Sequence, residues 1–574
     1  MASSACVAVD FGTAATGYCL ALQHANGNPA AARILPFKPG DRASAATEKN
    51  LTAILLNAAT MKVVAFGRDA RRMFFELDPA EMPKYLFLSH FKMAMSPSLR
   101  GGTPLNERTV LGEGANVPVL LRTAVAKVLD YIRLEAVDRA ASIGLTSAES
   151  LSWVITVPAI WDEQAKAFMR ECAVEAGIIS DVNSSRLALA LEPEGAVIAS
   201  SLEAPEEVKA KLQVGERLLI VDAGGGTVDC TVSELVGQNP PRLREILPPS
   251  GGPWGGTMVD AQFRALCADM LMPQGGTGGA EGGSHEDASA AASALDAWEA
   301  AKCGWDPSGA AGGGGREKII VSGLATVCEY LGGPEVVAQR VAAYNSKHSL
   351  EGPAAVVYRP RSFSLVLPPG VVTKLFDACV LPICAHMQNL LSSAAELGKG
   401  VGFVFLVGGF AESLYLQNCV REALLTEDGP IATLIIPAKP VQCVNRGAAV
   451  WGLYPSTFIT SRIAMATFAV SLCERYNPAV HNPLPHDSYL IENKEGKWVD
   501  NVLVCVAWVN MLFCLTPPPR PPPSLSHTRG PPSSLSPTPP YLLLQAPGAK
   551  GGRCPCGFQC RASGEPREGG PGKR

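Results

Sequence analysis

Two stretches of this chain share one pattern of apolar and small residues. Val7-Ala8-Val9-Asp10-Phe11-Gly12-Thr13-Ala14-Ala15-Thr16-Gly17 runs apolar into an Asp, passes through small residues and a Thr, and then turns apolar again. Leu218-Leu219-Ile220-Val221-Asp222-Ala223-Gly224-Gly225-Gly226-Thr227-Val228-Asp229 does the same in the middle of the chain. The pattern predicts a strand, a tight turn and a returning strand in each place. Apolar spacing predicts further strands over 62–66, 153–158, 186–193 and 402–407. Three- and four-residue spacing predicts helices over 119–137, 163–177 and 194–202, with another from Ser413. The small-residue stretch Asn445-Arg446-Gly447-Ala448-Ala449-Val450-Trp451-Gly452 predicts a helix suited to close packing.

The repeat divides the chain. Residues 1–215 and 216–455 read as two similar lobes, the second carrying surface insertions over 273–293 and the glycine run 312–315. Residues 456–500 read as a short extension. Residues 501–574 hold an apolar stretch and then a proline-rich tail with too little apolar periodicity to bury a core. The apolar run 502–515, broken by Asn510, falls short of the ~20 residues a membrane-crossing helix needs, so a buried strand or a stretch foreign to the fold is expected there. Cys554, Cys556 and Cys560 in the tail lack a fourth ligand at zinc spacing.

Composition narrows the function. With 18% charged residues and a net charge of -4, no basic footprint for nucleic acid or an acidic membrane surface is expected. The 17 cysteines form no short repeating framework and no signal sequence precedes the first strand, so they are expected as reduced thiols in the cytoplasm or nucleus.

The repeated turn is the candidate chemistry. Glycines let backbone N–H groups come close to an anion, and a carboxylate at a strand end can hold a hydrated Mg2+. Two such turns, at Asp10 and Asp222, imply two lobes closing on one nucleotide. Taken singly, each string is an ordinary structural turn. Their combination with Gly408-Gly409 after a buried strand, and with a small-residue helix after each half, is far more specific.

This ordered set resembles the actin, sugar-kinase and heat-shock ATPase superfamily, and within it the heat-shock 70 kDa chaperones. The segment Gly251-Gly252-Pro253-Trp254-Gly255-Gly256 is similar to that of their divergent twelve-type branch. The resemblance covers residue 5 to about 490. It implies an α/β, two-lobed actin-like ATPase fold, each lobe with a ribonuclease-H-like mixed sheet flanked by helices. By the same resemblance, ATP and Mg2+ are the cofactors. Asp10 and Asp222 would hold the waters of the metal. Gly12, Thr13, Ala14, Gly224, Gly225, Gly226 and Thr227 would cradle the phosphates. Asp229 would orient the attacking water, Glu192 would lie near metal and water, and Lys92 would neutralise the transferring phosphate. Gly408, Gly409 and Phe410 would form the adenosine-side loop, and Glu299 and Lys302 would frame adenine. The plainer readings are a surface lysine for Lys92, a helix N-terminal charge for Glu192 and a helix-surface pair for Glu299 and Lys302.

The chain departs from the family in places. Ala14 stands where a second hydroxyl is usual, Phe410-Ala411-Glu412 replaces Ser-Thr-Arg, and Cys303 replaces a basic residue. No apolar-acidic linker follows Trp451-Gly452-Leu453-Tyr454-Pro455, so a full peptide-gripping domain is not expected. The expectation is a slow ATPase that regulates protein partners. A nucleotide-sensing adaptor with little turnover is the second reading, and a small-molecule kinase on the same fold the third.

Overall fold

The computed structural model describes residues 5–38, 48–78, 80–96, 103–145, 151–271, 294–295, 297–299, 301–307, 318–426, 429–463, 468–475, 490–493, 496–507 and 512–514. The expected insertion over 273–293, the glycine run 312–315 and the proline-rich tail with its three cysteines lie outside the described residues. The chain divides into two units, Met1–Arg244 with Pro249–Ile459, and Glu245–Pro248 with Thr460–Arg574.

The first unit is built twice from one plan. Its first half has strands β1 (Ala5–Phe11), β2 (Ala15–Leu22), β3 (Arg33–Pro36), β4 (Leu151–Val157) and β5 (Leu187–Leu191) in the order β5-β4-β1-β2-β3. β1 and β2 are the expected hairpin, antiparallel with Asp10 opposite Gly17, while β4 runs parallel to β1. Helices α1 (Leu121–Ser142), α2 (Glu163–Glu175) and α3 (Glu192–Glu203) complete this half. Its second half has β6 (Arg217–Ala223), β7 (Val228–Gln238), β8 (Pro241–Gly252), β9 (Phe403–Val407) and β10 (Thr433–Ile435) in the matching order β10-β9-β6-β7-β8. Here Asp222 lies opposite Asp229, and β9 runs parallel to β6. Helices α4 (Pro369–Glu396) and α5 (Cys443–Leu453) belong to this half.

β1 reads as continuously apolar because it is buried on both faces. Val7, Val9 and Phe11 pack with α1 and α2, whereas Cys6 and Ala8 face α3 and α5. The second face uses small residues because the two helices come very close. A Cβ on Gly452 would lie 2.3 Å from Cys6 Sγ. Between the helices, a Cβ on Gly195 would lie 2.5 Å from the Val444 carbonyl oxygen, and one on Gly447 would lie 1.8 Å from that of Gly195. No side chain fits at that crossing.

Local boundaries differ from expectation for clear reasons. α1 starts at Leu121 because Val119–Leu120 pairs with Thr109–Val110, and it runs on to Ser142 with Ala136 and Ala140 on its buried stripe. α2 is capped by Asp162, whose side chain accepts from the Ala165 amide at 2.9 Å, and Gly177 follows it in the left-handed region at φ 70°. Residues 192 and 193, expected in a strand, open α3 instead. Proline is tolerated in a first turn because its missing N–H has no intrahelical partner there, and the Glu194 carboxylate accepts from the Leu191 amide at 3.3 Å.

Beside β2 sits a smaller sheet of Ala53–Asn57, Val63–Phe66, Tyr85–Ser89 and Glu113–Gly114, covered by the helix Gly67–Phe75. α4 is the described helix long and apolar enough to cross a membrane by length and composition. Val372, Phe376, Cys379, Ile383 and Met387 form a buried stripe along it, as on a core helix.

In the second unit, Gly496–Ala507 pairs antiparallel with both Phe468–Arg475 and Leu490–Asn493. The described residues of the 502–515 run are therefore strand: 502–507 end this element, and Leu512–Cys514 is a short strand of its own.

The crossing makes a prediction. Gly447→Ala places a methyl into the Gly195 backbone and should cost about 2–3 kcal/mol or more, whereas Gly370→Ala, with no atom within 4 Å of the added carbon, should be near neutral. Thermal melting of the two variants checks this; equal melting temperatures would refute it.

Candidate functional site

Both hairpin turns meet where the two halves face each other. A Cβ on Gly225 would lie 2.7 Å from Ala14 Cβ, and one on Gly226 would lie 2.5 Å from Thr13 Oγ1 and 2.4 Å from Met93 Sδ. Only glycine allows so close an approach.

Each turn is tied from behind by a threonine. Thr52 Oγ1 donates to the Gly12 carbonyl at 2.7 Å, and its amide donates to that of Ala14 at 3.0 Å. In the second half, the Thr257 amide and hydroxyl both donate to the Gly225 carbonyl at 2.8 Å. The Gly255 and Gly256 amides take the carbonyls of Gly226 and Gly224 at 3.3 and 3.1 Å. The carbonyls of the second turn are thus engaged, while the Gly225 and Gly226 amides have no acceptor among the described residues. A turn with tethered carbonyls and uncommitted amides is suited to an anion. The segment Gly251–Gly256 is therefore a structural backing for the turn, a task its motif did not reveal.

Four carboxylates converge behind the turns. Asp10 and Asp222 stand next to last in the corresponding strands β1 and β6, Asp229 is the second residue of β7, and Glu192 starts α3. The duplication supplies the first pair symmetrically. Asp229 has no counterpart in the first half, where Gly17 holds the equivalent register.

Two lysines face them. Lys92 Nζ donates to Glu192 Oε1 at 2.9 Å, the side chains being 5% and 12% exposed. The Lys92 ammonium also lies 5.9 Å from the Phe11 ring centroid and 5.4 Å from that of Trp161, which excludes the surface-lysine reading. Lys49, which no sequence motif flagged, donates to Asp10 Oδ2 at 2.6 Å. The site thus sets four buried carboxylates against two ammonium groups.

The imbalance shows in the acidities. Burial pushes Glu192 up to about 7, with Lys92 opposing and Asp229 and Asp10 adding to the rise. Burial, then the charges of Glu192, Asp229 and Asp10, hold Asp222 well above the usual carboxylate range. Burial also raises Asp229, against the Ile160 amide and the Thr227 hydroxyl. Asp229 Oδ1 accepts from the Ile160 amide at 3.0 Å, while Oδ2 is buried with no hydrogen bond. Such a cluster calls for added positive charge.

Among the described residues, no three His, Cys, Asp or Glu side chains converge to ligate a metal directly. A cation held through its own waters is the alternative, and Mg2+ keeps its water shell more readily than most ions. The orphaned Asp229 oxygen and the side-chain-free cradle at Gly225 and Gly226 fit such an ion with an anionic ligand.

The remaining expected residues lie around this centre. Gly408, at φ 89°, approaches so closely that a Cβ would lie 2.4 Å from Asp222 Oδ1. Phe410 is buried, its ring 6.4 Å from that of Phe376, and a Cβ on Gly256 would touch it at 3.3 Å. Gly409 precedes this short turn and is loosely packed. Glu299 pairs with Arg71 at 3.3 Å, joining the two halves, and Lys302 pairs with Asp260. The latter two are committed to contacts other than with each other.

No family model matches the chain. It is 27% identical over 528 residues to heat shock 70 kDa protein 12A of Mus musculus, covering 83% of this chain and 73% of that protein. It is 28% identical over 533 residues to heat shock 70 kDa protein 12B of Homo sapiens, covering 84% and 73%. Those relatives, the repeated strand order and the paired turns agree: the chain is a divergent relative of the twelve-type heat shock 70 kDa proteins, with a two-lobed actin-like ATPase fold.

Proposed function

We propose that this chain binds ATP with Mg2+ between its two halves, hydrolyses it slowly, and uses the resulting movement of the lobes to regulate protein partners. The observation that carries the reading is the pair of hairpin turns facing each other over four buried carboxylates and two lysines. The free cysteines among the described residues accord with a reducing cytoplasmic or nuclear setting.

On this reading the amides of Gly12, Gly225 and Gly226, with Thr13 and Thr227, hold the phosphates, and Gly224, whose amide donates to the Thr227 carbonyl, shapes the turn. Asp10 and Asp222 hold the waters of the metal. Bound Mg2+ would draw charge from the phosphate oxygens. Asp229, held at Oδ1 by the Ile160 amide, is left with Oδ2 to orient the attacking water and accept its proton. Lys92, already fixed by Glu192 and two aromatic rings, meets the charge on the transferring phosphate with little ordering still to be lost. Gly408, Gly409 and Phe410 lie on the adenosine side, with Glu299 and Lys302 beyond. The turns touch in this structure, so a phosphate between them requires the halves to part, and that movement is what a partner could sense.

A second reading is a nucleotide sensor without turnover. Ala14 supplies no hydroxyl, and the buried Phe410 with Ala411 and Glu412 supplies no cation. Calorimetry of ATP binding and a phosphate-release assay on the full chain separate the two. The first reading expects Asp229→Asn to lower turnover about a hundredfold with ATP affinity held within a few-fold. Tight binding with no release by the parent chain would favour the sensor, and no binding at all would remove both.

The acidities give a second test. A buried carboxylate whose folded value is raised costs stability once ionised. That cost is absent below the ordinary Asp value and grows as pH climbs through the raised one. Asp222→Asn should therefore melt above the parent chain at about pH 8, with the gain shrinking toward about pH 5. It should also lose Mg2+-dependent ATP affinity. A stability gain that grew toward acid would contradict the assignment.

A further inference from the structure

Lys49 is given no step in the reading above, yet it pairs with a carboxylate expected to hold the waters of the metal. Its ammonium donates at 2.6 Å to Oδ2 of Asp10, with side chains 10% and 5% exposed. So short a charged contact, shielded from water, is a strong one. The other Asp10 oxygen accepts from the Thr156 hydroxyl at 3.5 Å.

The chain around Lys49 is built to present it. Asn50 packs under Gly67, where a Cβ would lie 2.2 Å from its side chain, and the Asn50 side chain accepts from the Arg68 amide at 3.0 Å. Thr52 ties the first turn. Gly17, across the strand pair from Asp10, lets the lysine stem pass: a Cβ there would lie 2.9 Å from Lys49 Cγ. The two lysines divide the carboxylates between them. Lys92 serves Glu192, and Lys49 serves Asp10 on the side expected to hold the metal.

We propose that Lys49 is the standing counter-ion of Asp10 and competes with Mg2+ for that carboxylate. This rests on the ATP·Mg2+ reading. A hydrated divalent cation and an ammonium cannot share one buried carboxylate without strong repulsion, so one must yield as the other arrives. The lysine lets the apo site exist without a metal, and it raises the Mg2+ concentration that the nucleotide complex needs.

The experiment compares the full chain with Lys49→Met and Lys49→Arg. Melting is read without nucleotide, in EDTA and in Mg2+, and then ATP binding is titrated against Mg2+. Lys49→Met should melt below the parent in EDTA and recover in Mg2+, while the parent and Lys49→Arg respond little. The Mg2+ concentration for half-maximal ATP binding should fall about tenfold or more in Lys49→Met, the scale of a lost charged hydrogen bond. A folded Lys49→Met whose melting and Mg2+ requirement match the parent overturns the proposal. Should Lys49→Met fail to fold, the double variant Asp10→Asn/Lys49→Met, lacking both charges, should fold again, and failure to do so overturns it equally. If the parent binds no ATP at any Mg2+ concentration, the ATP reading falls. The response of melting to Mg2+ alone then decides the role of Lys49.

Discussion

The close crossing of α3 and α5 is the constraint on which the rest of the molecule depends. Gly195 and Gly447 meet backbone to backbone, Cys6 and Ala8 keep the neighbouring strand face shallow, and Gly452 lets α5 lie against it. Each helix follows the last strand of its own half, so the crossing joins the two halves. The turns that follow β1 and β6 then meet, and the carboxylates near the ends of these strands face the same space. Because α3 begins at Glu192, the helix that makes the crossing also delivers an acid to the site. Packing and chemistry are thus two ends of one element.

Electrostatics opposes that arrangement. Burial raises Asp222, Asp229 and Glu192, and neighbouring carboxylates add to the rise at Asp222 and Glu192, so the cluster is held together against its own charge. Two lysines offset part of this, each bound to a separate acid. Sites that bind highly charged ligands commonly carry such uncompensated charge, since a ligand that relieves it gains affinity from the relief. The backing threonines serve the same end. Thr52 and Thr257 take up turn carbonyls, so that amides rather than lone pairs face the space between the halves.

The asymmetry within the duplication has a functional sense. Matching registers give each half an Asp at the strand end, but the second hairpin alone adds Asp229. On the proposed ATP·Mg2+ reading, two similar halves would share the metal and its phosphates, whereas activation of one water would call for one base. The ion pair of Arg71 with Glu299 adds a contact between the halves away from the turns.

Much of this was legible in the chain alone. Both hairpins, β4, β9, α2 and the small-residue helix α5 follow from apolar runs, glycine turns and caps, which act over a few residues. The candidate acids were legible for the same reason, since each ends or begins an element whose pattern is local. The boundary at Glu192 was not, because Pro193 fits a strand end and a helix first turn equally well until packing against α5 decides. Lys49, Thr52 and Thr257 were also beyond reach, since their partners lie far along the chain or depend on the backbone path of a turn. The pairing of Glu299 with Arg71 and of Lys302 with Asp260 was hidden similarly: a helix shows which residues share a face, but not what that face meets. Local pattern determined which elements form and which of them end in acids. The tertiary structure alone decided which charges stand together, because burial and charge pairing are properties of the space that distant segments enclose.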